Sequence, residues 1–148
     1  MHTHTQRRLL LRGGLALAGA SLLPAARACE YFSSSLRITH PWTRAAAQHV
    51  PYAVVCMRLD EVQQDDRLIG LDTPVARAAE MVGAGGASPV DLPLRRGEVL
   101  VLGEGERQLR LVGLNTALEV GRSYPMQLHF EVSGTVNASL NIDYGRFA

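Results

Sequence analysis

Short runs in which apolar and polar residues alternate constrain the fold of this chain more than any other feature. Two such runs, residues 126–132 and 136–142, are separated by Ser133-Gly134, a dipeptide typical of hairpin turns. A period of two indicates a β-strand with one buried face. The apolar positions of the two runs are Met126, Leu128, Phe130 and Val132, then Val136, Ala138, Leu140 and Ile142.

The same pattern recurs over most of the chain after residue 35. Further strands are predicted over residues 36–40, 52–59, 98–102 and 107–111, with Gly, Pro and Asn at the turns. Many short strands with such turns predict an all-β antiparallel sandwich or barrel. Residues 74–81 fit a helix or a strand equally, and the glycine-rich residues 83–88 are expected to form a flexible loop.

Strand periodicity also predicts which side chains are buried. The apolar residues of each alternating run should lie in the core and the polar residues in solvent, because neighbouring strand residues point to opposite faces. The predicted core comprises Leu109, Leu111, Met126, Leu128, Phe130, Val136, Ala138, Leu140 and Ile142; the predicted exposed group comprises Gln108, Arg110, Gln127 and His129.

The N-terminus predicts export. Arg7-Arg8 precedes an apolar stretch over residues 9–23, and Ala26-Arg27-Ala28 offers the small residues that a signal peptidase accepts. We therefore expect a cleavable signal over residues 1–28 and one domain over residues 29–148, in the periplasm or otherwise outside the cytoplasm. The arginine pair fits the twin-arginine route as well as the general secretory route. The apolar stretch is too short for a stable membrane span.

Charge and motifs exclude several classes of function. All 14 acidic residues but only 11 of the 15 arginines follow residue 28, so the mature domain has a formal charge of −3. With no lysine and no basic stripe, nucleic acid is not expected as a partner. The chain has neither a Gly-x-Ser-x-Gly elbow nor a His-Glu-x-x-His motif. No acid–base pair is evident either, because Glu104 and Glu106 read as solvated turn charges, and we predict that the protein is not an enzyme.

Two cysteines, Cys29 and Cys56, remain after the predicted signal. In an oxidising compartment such a pair allows a disulfide. Two free thiols, metal ligation and a lipid anchor on Cys29 are the alternatives. Arg27 argues against the lipid anchor, because a small residue is expected at that position.

Several segments together resemble the PCu(A)C family of periplasmic copper chaperones. The resemblance begins with Pro41-Trp42-Thr43-Arg44 at the end of the first predicted strand and extends over most of residues 36–143. Its other segments are residues 66–70, 73–76, 111–114, 118–121 and 124–128. The resemblance implies a cupredoxin-like Greek-key β-sandwich that binds Cu(I) and delivers it toward cytochrome oxidase assembly. It also implies a periplasmic oxidase-assembly or metal-transfer protein as the partner.

The resemblance also implies a ligand set that this chain lacks. Family members hold Cu(I) with two His and two Met, and three of the four matching positions here carry Val82, Gln108 and Arg110. The fourth position, a Met about eleven residues after Val82, falls in a shortened stretch that contains no Met. We therefore predict that the domain keeps the scaffold and has lost the usual Cu(I) site, so that no cofactor is required. The alternative is a Cu(I) site rebuilt from other soft ligands. The candidates for such a site are Cys29, Cys56, Met57 and Met81.

Export can be tested on the native protein. Intact-mass analysis of the protein purified from its source should show a chain that begins at Cys29, because the small residues before it match a signal-peptidase site. A native chain that begins at Met1 and stays in the cytosol would contradict the predicted compartment.

Overall fold

The computed structural model describes residues 29–144, so the predicted signal over residues 1–28 lies outside the described part. Residues 29–144 contain eleven strands and no helix, which confirms the all-β prediction. No segment of that range forms a helix with the length and apolarity that a membrane span requires. The strands are β1 (Glu30–Phe32), β2 (Arg37–Arg44), β3 (Tyr52–Asp60), β4 (Asp66–Asp72), β5 (Ala76–Gly83), β6 (Gly86–Ser88), β7 (Leu92–Leu94), β8 (Leu100–Leu102), β9 (Gln108–Leu114), β10 (Ser123–Phe130) and β11 (Gly134–Asp143).

Strand β3 joins the two layers of the fold. Its first half pairs with β9, from Tyr52 opposite Val112 to Val55 opposite Leu109. Its second half pairs with β2 and β8. The hydrogen-bonded path therefore runs β6-β5-β9-β3-β2-β11-β10-β4-β7 and curls over at β3. Two packed layers enclose one apolar core.

The predicted core residues are all buried, which confirms the strand periodicity over β9, β10 and β11. The predicted hairpin at Ser133-Gly134 is also confirmed, since Phe130 pairs with Gly134 across it. Val132, the last apolar position of the alternating run over residues 126–132, does not follow the pattern. It is 56% exposed because β10 ends at Phe130, two residues earlier.

Three of the four side chains predicted to be exposed are half-buried; Gln127 alone is exposed as expected. His129 lies between two partners on the outer face of β10, with Nε2 2.6 Å from Asp72 Oδ2 and Nδ1 2.9 Å from Thr135 Oγ1. Gln108 and Arg110 contact each other on the outer face of β9. These polar side chains do point away from the core, but polar neighbours cover them.

The glycine-rich residues 83–88 form a hairpin, so the expectation of a flexible loop was wrong. Gly83 pairs with Gly86 and Met81 pairs with Ser88, which makes β6 the edge of the sheet. Gly86 has a φ of +93°, a conformation that glycine adopts without steric penalty. The preceding residues form β5, which settles the helix-or-strand ambiguity of residues 74–81 in favour of a strand.

Asp66 anchors the turn between β10 and β11. Its buried carboxylate accepts hydrogen bonds from the main-chain N–H groups of Arg67, Val132 and Ser133 and from the Ser133 hydroxyl, at 2.6–3.1 Å. Burial raises the pKa of Asp66, but these hydrogen bonds outweigh it and leave the pKa below its ordinary value.

Asp66→Asn should destabilise the fold by about 2 kcal/mol, because the amide nitrogen cannot accept the hydrogen bonds that the carboxylate receives. Asp65→Asn is the matched control, since Asp65 is exposed and accepts a hydrogen bond from the Arg96 N–H. Urea unfolding at pH 7 should separate the two variants. The Asp66 carboxyl has a lower pKa in the folded than in the unfolded protein, so its ionised form stabilises the fold above about pH 4. This stabilisation is lost as the pH falls further. The difference between Asp66→Asn and the wild type should therefore shrink on acidification; a difference that grows would contradict this account.

Candidate functional site

Strands β5 and β9 bring together the three positions that the family resemblance assigns to metal ligands. Val82 pairs directly with Gln108, and Glu80 pairs with Arg110. Residues opposite each other on antiparallel strands place their side chains on one face. That face points outward, because the alternate residues on both strands, among them Met81 and Leu109, are buried. We call this surface, with the neighbouring Tyr52, the β5–β9 face.

The Arg110 guanidinium is held in place on this face. It stacks on the ring of Tyr52, with 3.8 Å between its Cζ atom and the ring centroid. Its Nε donates a hydrogen bond of 2.8 Å to Gln108 Oε1. Gln108 is held in turn, because its Nε2 donates to the main-chain oxygen of Glu104 at 3.1 Å. Stacking on an aromatic ring and hydrogen bonding at Nε together restrict the rotamers of Arg110.

Glu104 extends this network to the end of β2. The Arg44 guanidinium donates hydrogen bonds from Nε and Nη2 to the two carboxylate oxygens of Glu104, and the bond from Nη2 to Oε2 is 3.0 Å long. These hydrogen bonds from Arg44 lower the pKa of the Glu104 carboxyl. Arg44 also donates from Nη1 to the main-chain oxygen of Tyr144 at 2.8 Å. Contacts thus run without a break from Arg44 through Glu104 and Gln108 to Arg110.

The chemistry of the β5–β9 face does not suit Cu(I). An aliphatic side chain, an amide and a guanidinium offer neither thioether nor imidazole, the donors that Cu(I) prefers. Arg110 also adds a fixed positive charge: two unit charges of the same sign at ~4 Å repel by roughly 4 kcal/mol at an effective dielectric of ~20. Within the described range, no three His, Cys, Asp or Glu side chains are grouped so that they could hold a metal ion.

The four alternative soft ligands, Cys29, Cys56, Met57 and Met81, do not form a common site. Met57 and Met81 are 3% and 4% exposed and belong to the apolar core. Cys56 is buried on β3, and its burial, followed by the nearby Glu104 charge, raises the pKa of its thiol to about 11, against an opposing effect of Arg44. Cys29 lies elsewhere, where its Sγ accepts a hydrogen bond from Asn141 Nδ2 at 3.3 Å.

The disulfide that the sequence allowed is not formed, and both thiols are free. Cys29 precedes β1, and β1 and β3 pair with opposite edges of β2, both at Thr39. Strands on either side of a third lie about 10 Å apart, whereas a disulfide needs Cα atoms within about 7 Å. Cys29 and Cys56 are therefore separated by a whole strand.

Sequence reasoning missed Tyr52 and Glu104 as parts of the site. Glu104 was expected to be a solvated turn charge, and it instead pairs with Arg44 and supports Gln108 through its main-chain oxygen. Tyr52 had no signal of its own: its place beside Arg110 follows from the pairing of β3 with β9.

Residues at the bulge of β2 also form a cleft that the sequence did not predict. The pairing of β2 with β3 shifts between Thr39 and Trp42, and His40 has a φ of +49° there. His40, Trp42 and Cys56 line a cleft of about 460 Å³ on this side of the sheet. Arg44 and Glu104 also line this cleft, so it meets the Arg110 network at its far end.

Comparisons with known proteins agree with this fold. The LpqE-like family model, described as lipoprotein LpqE-like, matches residues 36–142. The copper-bound PCuAC domain from PmoF2 is 25% identical to this chain, with a TM-score of 0.69 over 77% of this chain and 97% of that one. The apo PCuAC domain from PmoF1 is 27% identical, with a TM-score of 0.68 over 77% and 98%.

A more distant structure shares the fold alone. Cu(I)-bound DR1885 from Deinococcus radiodurans is 21% identical, with a TM-score of 0.59 over 87% of this chain and 85% of that one. No sequence among the curated proteins matches this chain. The structural likenesses confirm the expected cupredoxin-like β-sandwich.

The two thiols should differ in reactivity. Because the raised pKa keeps the buried Cys56 thiol protonated at pH 8, iodoacetamide should alkylate Cys29 in the folded protein and reach Cys56 only after unfolding. Peptide mapping by mass spectrometry before and after addition of urea reads both sites. Equal labelling in the folded state, or a Cys29–Cys56 disulfide in the peptide map, would contradict the described geometry.

Proposed function

Because the chain belongs to the LpqE-like family and folds as a copper-chaperone-like PCuAC domain, we propose that it is an exported, non-catalytic binding module that has lost the usual Cu(I) site. One observation carries the proposal: Val82, Gln108 and Arg110 share one face, and the Arg110 charge is fixed there by Tyr52 and Gln108. A face built in this way favours contact with another molecule over capture of a cation.

Two observations support export. Residues 1–28 have the order of basic, apolar and small residues that marks a signal. The matching family model is described as a lipoprotein, which is an exported class of protein. We place the protein in the periplasm or an equivalent compartment. By the resemblance to copper chaperones, its partner is an oxidase-assembly or metal-transfer protein.

A row of polar side chains across β4, β10 and β11 supports a binding role more than a catalytic one. Thr135, His129 and Asp72 are connected by hydrogen bonds, as a nucleophile, a base and an orienting acid would be. The Asp72 side chain, however, is 76% exposed and the row lies on the outer face of the sheet. A catalytic carboxylate is usually shielded from water, so we interpret the row as a hydrogen-bonded ladder between strands.

The rival function is Cu(I) binding through a site rebuilt from Cys29, Cys56, Met57 or Met81. It has less support, because the two methionines lie in the core and the two cysteines lie on opposite sides of β2. Metal ligation at Cys56 would also require loss of a proton that burial holds.

Restoring the family's ligands should restore Cu(I) binding. The triple variant Val82→His, Gln108→His and Arg110→Met places three soft donors on one face, and positions 82 and 108 are direct cross-strand partners. Anaerobic Cu(I) titration against a competing chelator should show tight binding by the triple variant and none at this face by the wild type. The double variant Val82→His and Gln108→His, which keeps the Arg110 charge, is the matched control and should bind at least about tenfold more weakly than the triple variant.

Two outcomes with the wild-type protein would count against the proposal, and a third outcome, with the triple variant, would contradict the predicted restoration. Tight Cu(I) binding by the wild type that is lost in Gln108→Leu would show that this face still holds the metal. Tight binding that is lost in Cys56→Ser or Cys29→Ser would establish the rival site. A folded triple variant with no gain would show that the face no longer has the geometry of a metal site.

A further inference from the structure

We propose that the β5–β9 face binds a carboxylate group through the guanidinium of Arg110. The inference rests on the proposed function, because it names what binds at a face that no longer suits Cu(I). A carboxylate can come from the chain terminus of a partner protein or from an acidic side chain, and both would present the same pair of oxygens.

The first support is the orientation of Arg110. Its planar group lies against the Tyr52 ring, and its Nε is occupied by Gln108, so that the two terminal nitrogens remain to be filled. A guanidinium binds a carboxylate best through two parallel hydrogen bonds from a fixed fork. Much of the entropic cost of ordering this side chain is already met in the free protein.

The second support is the lack of an internal counter-charge. Five other arginines pair with carboxylates of the chain, among them Arg37 and Arg58 with Asp60 and Arg44 with Glu104. Arg77, Arg95, Arg96 and Arg107 form no ion pair within residues 29–144, but Arg110 alone among the unpaired arginines is stacked on an aromatic ring in that range. No ion pair joins Arg110 to a carboxylate anywhere in residues 29–144, although Glu80 stands opposite it on β5. Its terminal nitrogens are therefore available to a ligand from outside.

The third support is a cleft next to the two residues that hold the guanidinium in place. It measures about 270 Å³, opens where β2 and β3 diverge, and shares Tyr52 and Gln108 with the Arg110 network. Thr43 also lines it; this residue is fully buried, and its hydroxyl has no hydrogen-bond partner within the described residues. The Thr43 hydroxyl is too deeply buried to meet a ligand, but the cleft offers room for the residue that carries the carboxylate.

The test is a titration of the ¹⁵N-labelled protein followed by NMR. The probes are the acetylated peptide Gly-Ala-Ala with a free carboxyl terminus, the same peptide with an amidated terminus, and an amidated peptide in which Glu replaces the middle residue. We expect at least one carboxylate-bearing peptide to shift the Arg110 Nε–H and Gln108 side-chain signals, and the uncharged peptide to leave them unchanged. The peptide that binds more tightly identifies the source of the carboxylate.

Variants separate a specific site from general charge attraction. Arg110→Gln should weaken binding by about tenfold to a hundredfold, the range expected for loss of a charge-assisted pair of hydrogen bonds. Arg110→Lys should recover only part of this loss, because an ammonium has no fork. Arg122→Gln is the matched control: it removes the same charge from an exposed arginine that pairs with Glu119, and it should bind like the wild type. Glu80→Gln should strengthen binding, because it removes the carboxylate opposite Arg110.

Equal weakening by Arg110→Gln and Arg122→Gln would overturn the inference, as would equal shifts with the charged and uncharged peptides. Wild-type protein that binds none of the peptides would overturn it as well. The proposed function is judged separately by the Cu(I) titration, so that a failure here leaves the loss of the metal site standing.

Discussion

The whole structure depends on the double pairing of strand β3. Its first half is hydrogen-bonded to β9 and its second half to β2 and β8, so one strand holds both layers at a fixed separation. The buried residues Val55, Met57 and Leu59 follow one another along its inner face and contribute to the core of both layers. These three residues occupy every second position of β3. A substitution that placed a polar residue at one of them would affect the two layers together, because a strand has only one register in which its apolar face points inward.

The character of the β5–β9 face follows from that constraint. Pairing of β3 with β9 sets Tyr52 next to Arg110, and the divergence of β3 from β2 opens the small cleft that Thr43 lines. One apolar core packs between these strands, and a core of this kind can stabilise a fold that holds no metal, unlike small zinc domains that fold only when loaded. Ligands on such a scaffold can be lost without loss of the fold, and a stacked arginine can take their place.

Much of the fold could be predicted from the sequence, and much of the site could not. Strand periodicity identified the core of β9, β10 and β11, and the three positions matched to family ligands proved to be neighbours. Long-range pairing, however, leaves no local signal, so neither the Tyr52–Arg110 stack nor the Arg44–Glu104 pair was evident. The state of the two cysteines stayed open for the same reason, since nothing in the spacing of Cys29 and Cys56 shows that a strand lies between them.

The central claim is that the family's metal face survives as a surface while its chemistry has changed. A crystal structure of the protein soaked anaerobically with Cu(I), with anomalous data collected at the copper edge, tests this claim most directly. The account predicts no copper peak beside Val82 and Gln108, with Arg110 still stacked on Tyr52. A copper peak on that face, with Arg110 displaced from the Tyr52 ring, would contradict it.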